Sequence, residues 1–386
     1  MRSRWIHRLG PGIALIGLLG LVASATATTG TSLSTWVPRA CDGPPRDRIP
    51  AARDQQAPDL EARGQRPWFR LDPLVGTDGA LDGQRLIVGL VADRAARTLD
   101  LDPESFAAGP FGRVVLAGSD DGTRSRLLLV DVVAACTASV ADESAVVRRA
   151  TITPDGTAIV ETRVDRASRA DLGTWRRPID GSGPARRIVA PFPADERFGR
   201  TFSTELAWNA TGDRLAIQAC GETSCRTRIV DPDGRHPRAV DDVSLGVMIG
   251  HDGDRLLTYR PCRGFPCDVV SIAADGSRAV IAPAAWSATL VEDESVTRLV
   301  HEIWTGTRFA LRGVRPDGSD ARDLGDLPEG LRLAAPTSLS GVGTRQPDGW
   351  AVLAPEGRMP LTAAEPAPLL RHVTDGSTVP FDEVSR

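Results

Sequence analysis

A short turn recurs along this chain, each time directly before an apolar run. It reads Thr153-Pro154-Asp155-Gly156 before Thr157-Ala158-Ile159-Val160, and Ala210-Thr211-Gly212-Asp213 before Arg214-Leu215-Ala216-Ile217. It returns as Asp252-Gly253-Asp254 before Arg255-Leu256-Leu257, and in weaker form as Thr305-Gly306-Thr307 before Arg308-Phe309-Ala310. A second turn follows the next apolar stretch: Ile179-Asp180-Gly181-Ser182, Val230-Asp231-Pro232-Asp233-Gly234, Ile272-Ala273-Ala274-Asp275-Gly276-Ser277 and Val314-Arg315-Pro316-Asp317-Gly318-Ser319. The final glycines of these copies lie 53, 42 and 42 residues apart. Glycine has a physical role in such turns, because it reaches positive φ at little cost, and the preceding Asp can accept a hydrogen bond from its own turn backbone.

Two tight turns in each repeat of about 42 residues imply about four strands per repeat, the size of one propeller blade. Elsewhere the chain continues as short apolar runs between Gly, Pro and Asp, such as Arg85 to Val91, Arg113 to Ala117, Leu127 to Val133 and Arg214 to Ala219. Runs of this length and composition read as strands, and no long amphipathic helix is apparent. The expected fold is all-β: a six- or seven-bladed β-propeller of four-stranded blades over residues 67–386. A β-sandwich, or two of them, is the alternative.

The turn-then-strand unit Thr153-Pro154-Asp155-Gly156-Thr157-Ala158-Ile159, with the second turn Val230-Asp231-Pro232-Asp233-Gly234, resembles the repeat of TolB-type, WD40-like propellers. Three copies of the first turn lack the Pro-Asp-Gly of that family, and no separate N-terminal α/β domain is apparent. The resemblance covers three or four blades. It implies a rigid, non-enzymatic platform in the cell envelope, binding protein partners at one face or in the central channel.

The chain opens with Arg2, Arg4, His7 and Arg8, followed by an uncharged run from Leu9 to Pro38 whose apolar heart is Gly12 to Ala23. Ala23-Ser24-Ala25 and Ala25-Thr26-Ala27 both fit a small-residue cleavage site. Residues 1–30 are expected to be a secretory signal or a retained membrane anchor, with 9–27 as the span; the positive flank places the remainder outside in either case. Residues 31–66, rich in Pro, Arg, Asp and Gln, read as a flexible linker. The chain is thus expected to be exported, extracellular or in the cell envelope.

An even number of cysteines in an exported chain suggests disulfides. The six are Cys41, Cys136, Cys220, Cys225, Cys262 and Cys267. Two pairs share a Cys-x4-Cys spacing at equivalent places in consecutive repeats, Cys220 with Cys225 and Cys262 with Cys267. Residues flanking a four-residue hairpin loop sit opposite one another, close enough to bridge. Cys41 and Cys136 then pair by elimination and tie the linker to the body. A four-thiolate zinc site is the rival reading.

Candidate chemistry is sparse. His301-Glu302-Ile303-Trp304-Thr305 opens like a zincin motif but lacks the second His. Gly341-Val342-Gly343-Thr344-Arg345-Gln346 lacks the third Gly of a dinucleotide fingerprint, and a phosphate-binding P-loop needs a Lys, which the chain lacks. All 46 basic residues are Arg, and Asn209 is the sole Asn. That pattern reads as codon bias of a GC-rich genome; anion recognition would need clustering, and the arginines are scattered. The formal charge of −4 is no nucleic-acid footprint. His236, His251 and His372, with the acidic pairs Asp241-Asp242 and Glu292-Asp293-Glu294, read as loop residues. Trp208, Trp286, Trp304 and Trp350 are candidate ligand-face aromatics, with packing between blades as the alternative. The expectation is a non-enzymatic binding or scaffold propeller with no catalytic residues, metal or cofactor and with protein partners in the envelope. The alternatives are an exported propeller hydrolase or lyase and a glycan or small-ligand sensor.

Overall fold

A computed structural model describes residues 34–35, 39–42, 67–90, 96–111, 113–193, 200–209, 211–221, 225–243, 247–249, 253, 255–260, 262, 265–293, 296–334, 342–343, 349–355 and 367–380. The expected signal or anchor, 1–30, lies outside them. The described residues form seven sheets and no helix.

Sheets three to six are four-stranded and strictly sequential, each strand pairing antiparallel with the next. Sheet three is Val146–Ile152, Ala158–Val164, Asp171–Pro178 and Arg186–Val189. Sheet four is Ser203–Trp208, Leu215–Cys220, Cys225–Val230 and Arg238–Val243. Sheet five is Val247–Ile249, Leu256–Tyr259, Cys267–Ile272 and Arg278–Ala285, and sheet six is Ser287–Asp293, Val296–Trp304, Phe309–Val314 and Arg322–Asp326. Sheet two, from Phe106 to Glu143, has the same order, and sheet seven comprises Leu331–Leu333, Trp350–Pro355, Leu369–His372 and Thr378–Pro380. The strands expected from Arg85, Arg113, Leu127 and Arg214 are present as Leu81–Leu90, Val114–Asp120, Ser125–Asp131 and Leu215–Cys220.

The second strand of each sequential sheet explains why those runs read as continuously apolar. Val114–Asp120, Ala158–Val164 and Leu215–Cys220 are buried on both faces along their whole length. Side chains alternate across a strand. Ile159 therefore joins the cluster shared with sheet two, while Val160 joins the cluster shared with sheet four. Seven such clusters occur among the described residues, each drawing on two neighbouring sheets. One of them unites Trp68 and Ile87 of sheet one with Val352 and Leu370 of sheet seven. Sheets packed face to face around an axis are the β-propeller arrangement.

Sheet one is assembled from three parts of the chain. Pro67–Val75, Leu81–Leu90 and Arg97–Leu101 form its centre. Val342–Gly343, which lies between the first two strands of sheet seven, pairs antiparallel with Pro67–Val75 and so stitches the end of the chain to its beginning. Ser34–Thr35 pairs in parallel with Arg97–Leu101 on the opposite edge, and Arg39–Ala40 does the same on the outer strand of sheet two. Strands thus begin upstream of residue 67, inside the stretch expected to be linker; residues 43–66 lie outside the described residues.

The Cys41–Cys136 disulfide fixes this N-terminal arm to sheet two. Cys41 N–H also donates to the Thr137 carbonyl at 2.9 Å, and the Arg39 guanidinium to the Ala134 carbonyl at 3.3 Å.

Arginine joins the sheets at their rims. Arg228 of sheet four donates to the Ala190 carbonyl at 2.6 Å, just beyond the last strand of sheet three. Arg371 of sheet seven donates to Leu324 and Asp326 carbonyls of sheet six at 2.7 and 2.9 Å. Arg166 grips Asp120 of sheet two with two bonds, 2.7 and 2.9 Å. Between sheets two and three, Glu161 is fully buried and holds Arg163 at 2.8 Å and Arg177 at 2.9 Å, with Glu143 completing the group. A guanidinium presents five donors in a planar fork, so one side chain can satisfy several neighbouring acceptors.

The Asp-Gly turns are the second fixed element. Asp275, Asp317 and Asp375 each accept the backbone N–H two residues on, at 2.8 to 2.9 Å. Asp375-Gly376-Ser377 is a further copy of the second turn, unread in the sequence because a longer stretch precedes it. Gly212 sits at φ +74°, and a Cβ there would fall 2.6 Å from the Cβ of Pro154 in the equivalent turn of sheet three. Gly276 sits at φ +84° with open space around it.

Gly212→Ala is therefore expected to cost about 2 kcal/mol or more, combining backbone strain with the clash against Pro154. Gly276→Ala should cost about 1 kcal/mol through backbone strain alone, as read by urea denaturation. Loop length ranks the disulfides as well. Cys41–Cys136 closes a separation of 95 residues and Cys220–Cys225 one of 5. Replacing the first pair by Ser should cost about 4–5 kcal/mol and the second about 2 kcal/mol, in matched melts.

Candidate functional site

Connections in an antiparallel sheet alternate between its two ends. In sheets three to five the glycine turns join strands one to two and three to four, and in sheet six Asp317-Gly318 joins strands three to four, so they share one face of the molecule. Thr305-Gly306-Thr307, expected as a weaker copy of the first turn, instead joins strands two and three of sheet six and lies on the opposite face. The links between strands two and three, and the entries into each first strand, occupy the opposite face.

Both Cys-x4-Cys pairs lie on that opposite face. Cys220 ends the second strand of sheet four and Cys225 begins the third; the two are direct cross-strand partners and are bridged. Cys262 and Cys267 bridge the equivalent connection of sheet five. Two separate disulfides replace the zinc alternative, and no free cysteine remains.

The same face carries the exposed aromatics. Phe202, immediately before the first strand of sheet four, is 53% exposed. Phe265, between the bridged cysteines of sheet five, is 49% exposed and stands edge-on to Tyr259 with centroids 5.4 Å apart. In sheet six, Trp286 precedes the first strand and Trp304 ends the second; they are 39% and 47% exposed. Phe309, which begins the third strand, lies between them, 5.7 Å from Trp286 and 4.8 Å from Trp304. Among the described residues these are all the exposed Phe and Trp side chains, and they span three consecutive sheets.

The four candidate tryptophans divide into two groups. Trp286 and Trp304 belong to this rim. Trp208 packs in the cluster between sheets three and four, and Trp350 in the cluster between sheets seven and one, where it lies 4.8 Å from His372. No local signal singles out Phe202 and Phe265; Phe265 is marked only by its place between two bridged cysteines.

Beside the rim, the Arg332 guanidinium lies over the Phe309 ring at 3.5 Å and pairs with Glu302 at 3.5 Å. Glu302 is 3% exposed and accepts the Leu333 N–H at 3.0 Å. Burial pushes its carboxyl up, opposed by the Leu333 N–H and Arg332. Its neighbour His301 points to the other side of the strand, into the apolar interface between sheets five and six. Burial pushes its imidazole down to about 4, with Arg312 adding in the same direction. Nδ1 of His301 has no hydrogen-bond partner among the described residues. The two halves of the zincin-like pair thus face opposite ways, as adjacent strand residues must.

The other candidates stay apart. His236 contacts Asp231 and His372 contacts Asp375, both at turns. Glu292 accepts from Thr297 within its own hairpin at 2.9 Å. His251, Glu294 and most of the glycine-rich Gly341–Gln346 stretch lie outside the described residues, as do the side chains of Asp241, Asp242 and Asp293. No group of three or more His, Cys, Asp or Glu suited to a metal ion occurs among the described residues.

His301 generates a pH dependence of stability. Its folded value lies below the ordinary value of about 6.5, so the unfolded chain takes up the proton first. The stability from keeping it neutral is complete above pH ~6.5 and is lost as pH falls toward about 4, amounting to about 3 kcal/mol. His301→Leu should narrow its stability gap to the wild type, or overtake it, over that window in parallel urea titrations.

No protein-family profile matches the chain, and no curated protein sequence matches it. Solved structures do. TolB from Acinetobacter baumannii aligns over 69% of this chain at 12% identity and a TM-score of 0.42, and the chain spans 64% of that protein's length. Oligogalacturonate lyase from Vibrio parahaemolyticus aligns over 81% of this chain and 84% of its own at 11% identity, TM-score 0.48. Oligopeptidase B from Leishmania major aligns over 88% of this chain and 52% of its own at 10% identity, TM-score 0.47. What these proteins share with the present chain is fold: it is similar to β-propeller proteins, TolB among them.

Proposed function

We propose that this protein is an exported, non-enzymatic binding platform of the cell envelope: one closed, seven-bladed propeller that engages protein partners through the aromatic face of sheets four to six. The observation that carries this reading is the placement of Phe202, Phe265, Trp286 and Trp304 on one face of three consecutive sheets. Large exposed aromatics gathered on one side mark interaction surfaces, and Trp is the residue most enriched at binding hot spots. The bridged hairpins of sheets four and five support it further, since a short covalent loop holds its shape before binding and loses less entropy on association. The apolar run at residues 9–27 and the three disulfides support export. The exposure of Trp286 and Trp304 also favours a second reading, a sensor for glycans, which stack on such rings.

The test is crosslinked capture of the tagged protein from its own envelope fraction, run beside the Trp286→Ala/Trp304→Ala double variant. A reproducible stoichiometric partner with wild type, lost with the variant, is the expected result. No partner, or the same partner with both, overturns the platform assigned to this face. A glycan that raises the melting temperature of wild type alone turns the assignment to the sensor.

A further inference from the structure

We infer that the partner's contribution to the sheet-six rim is cationic: Trp286 and Trp304 receive arginine side chains of a positively charged protein segment. This rests on the binding-platform reading above and names the chemistry of the ligand at that same site.

Two observations converge on it. The rim already holds a guanidinium. Arg332 lies over the Phe309 ring at 3.5 Å, and Phe309 is flanked by both tryptophans at 4.8 and 5.7 Å. Elsewhere Arg228 covers Phe192 at 4.3 Å and Arg163 covers Trp175 at 4.5 Å. Arginine on an aromatic face is thus a contact this chain makes repeatedly. The negative face of the ring attracts a cation, Trp most strongly, and guanidinium sheds water more readily than ammonium.

The second observation is electrostatic. Residues 67–386 carry 37 Arg against 45 Asp and Glu, a formal charge of −8, whereas the preceding residues are net positive. A net-negative body attracts cationic segments and speeds their encounter. At the rim itself Glu302 is paired with Arg332 and Asp326 with Arg308, so the attraction is that of the whole body and not of a local carboxylate.

The probe is a synthetic pentapeptide of alternating glycine and arginine, titrated calorimetrically into the full chain. Glycine–glutamate and glycine–serine pentapeptides and a neutral malto-oligosaccharide serve as comparators. The arginine peptide alone should bind, more weakly as salt is raised. Trp304→Ala and Trp286→Ala should each weaken it about tenfold, while Trp304→Phe, which keeps a ring, should weaken it less. Both positions are solvent-exposed, and circular dichroism identifies any variant that has lost its fold. No arginine-peptide binding, binding unchanged in both Ala variants, or binding of the oligosaccharide in its place overturns the inference. If the envelope capture yields a rim-dependent partner while the arginine peptide fails, the guanidinium assignment falls and the platform reading stands.

Discussion

Every sheet in this molecule must bury both of its faces, and the strand that bears this demand most heavily is the second. Val114–Asp120, Ala158–Val164 and Leu215–Cys220 have no exposed residue. Each contributes alternate side chains to the clusters on its two sides, so no sheet can be apolar on one face only. A single such sheet would expose an oily surface to water; stability comes from continuing the stack until the last sheet meets the first. The cluster joining Trp68 and Ile87 to Val352 and Leu370 meets that requirement. The pairing of Val342–Gly343 with Pro67–Val75 adds backbone hydrogen bonds to the same seam.

Apolar packing is non-directional, and something must fix the angle and register between neighbouring sheets. Arginine does much of this here. Arg228, Arg371 and Arg166 each reach from one sheet to carbonyl or carboxylate oxygens of the next. The Glu161 group shows the same principle in the interior, where two guanidinium groups compensate a fully buried carboxylate. Removing one member of that group would leave a charge uncompensated, which costs more than the intact group contributes. The absence of lysine is consistent with codon bias, yet the fold has used the resulting arginines as multi-point fasteners for which a lysine would be a poor substitute.

Much of the fold was legible because its signals are local. A glycine at positive φ, an Asp that bonds its own turn and a short doubly buried strand announce themselves within ten residues. The hairpin disulfides were legible for the same reason, since five residues separate their cysteines. Other features depend on distant partners. Ser34–Thr35 and Arg39–Ala40 are polar two-residue strands whose existence depends on edges offered by Arg97 and Cys136. Trp208 and Trp286 occupy similar sequence contexts, each near the first strand of a sheet. The first is enclosed between sheets three and four, while the second stands open beside Phe309. No periodicity distinguishes them, because the difference lies in what the adjacent sheet places opposite. The arginine fasteners were unreadable for the same reason: scattered in sequence, they gather only at sheet boundaries.

The two faces differ in what their connections touch. Two of the glycine turns press against the neighbouring sheet, although Gly276 stands in open space: Gly212 abuts Pro154, and Gly376 approaches the Leu324 carbonyl closely enough that a Cβ would lie 3.1 Å from it. Change there is felt by the neighbouring sheet. On the opposite face the connections between second and third strands are held at their bases, by Cys220–Cys225 in one sheet and Cys262–Cys267 in the next. With a disulfide at the base of a hairpin, the strands keep their register whatever residues fill the loop. Phe265 is exposed between two bridged cysteines on these terms, and Trp304 is exposed at a strand end without such a bridge, supported instead by Phe309. Exposed aromatics weaken solubility unless they are covered, and a fold that could have placed them inward, as it places Trp208 and Trp350, instead leaves four of them outward on one face. That shared placement is the reason the proposed binding role is assigned to this face.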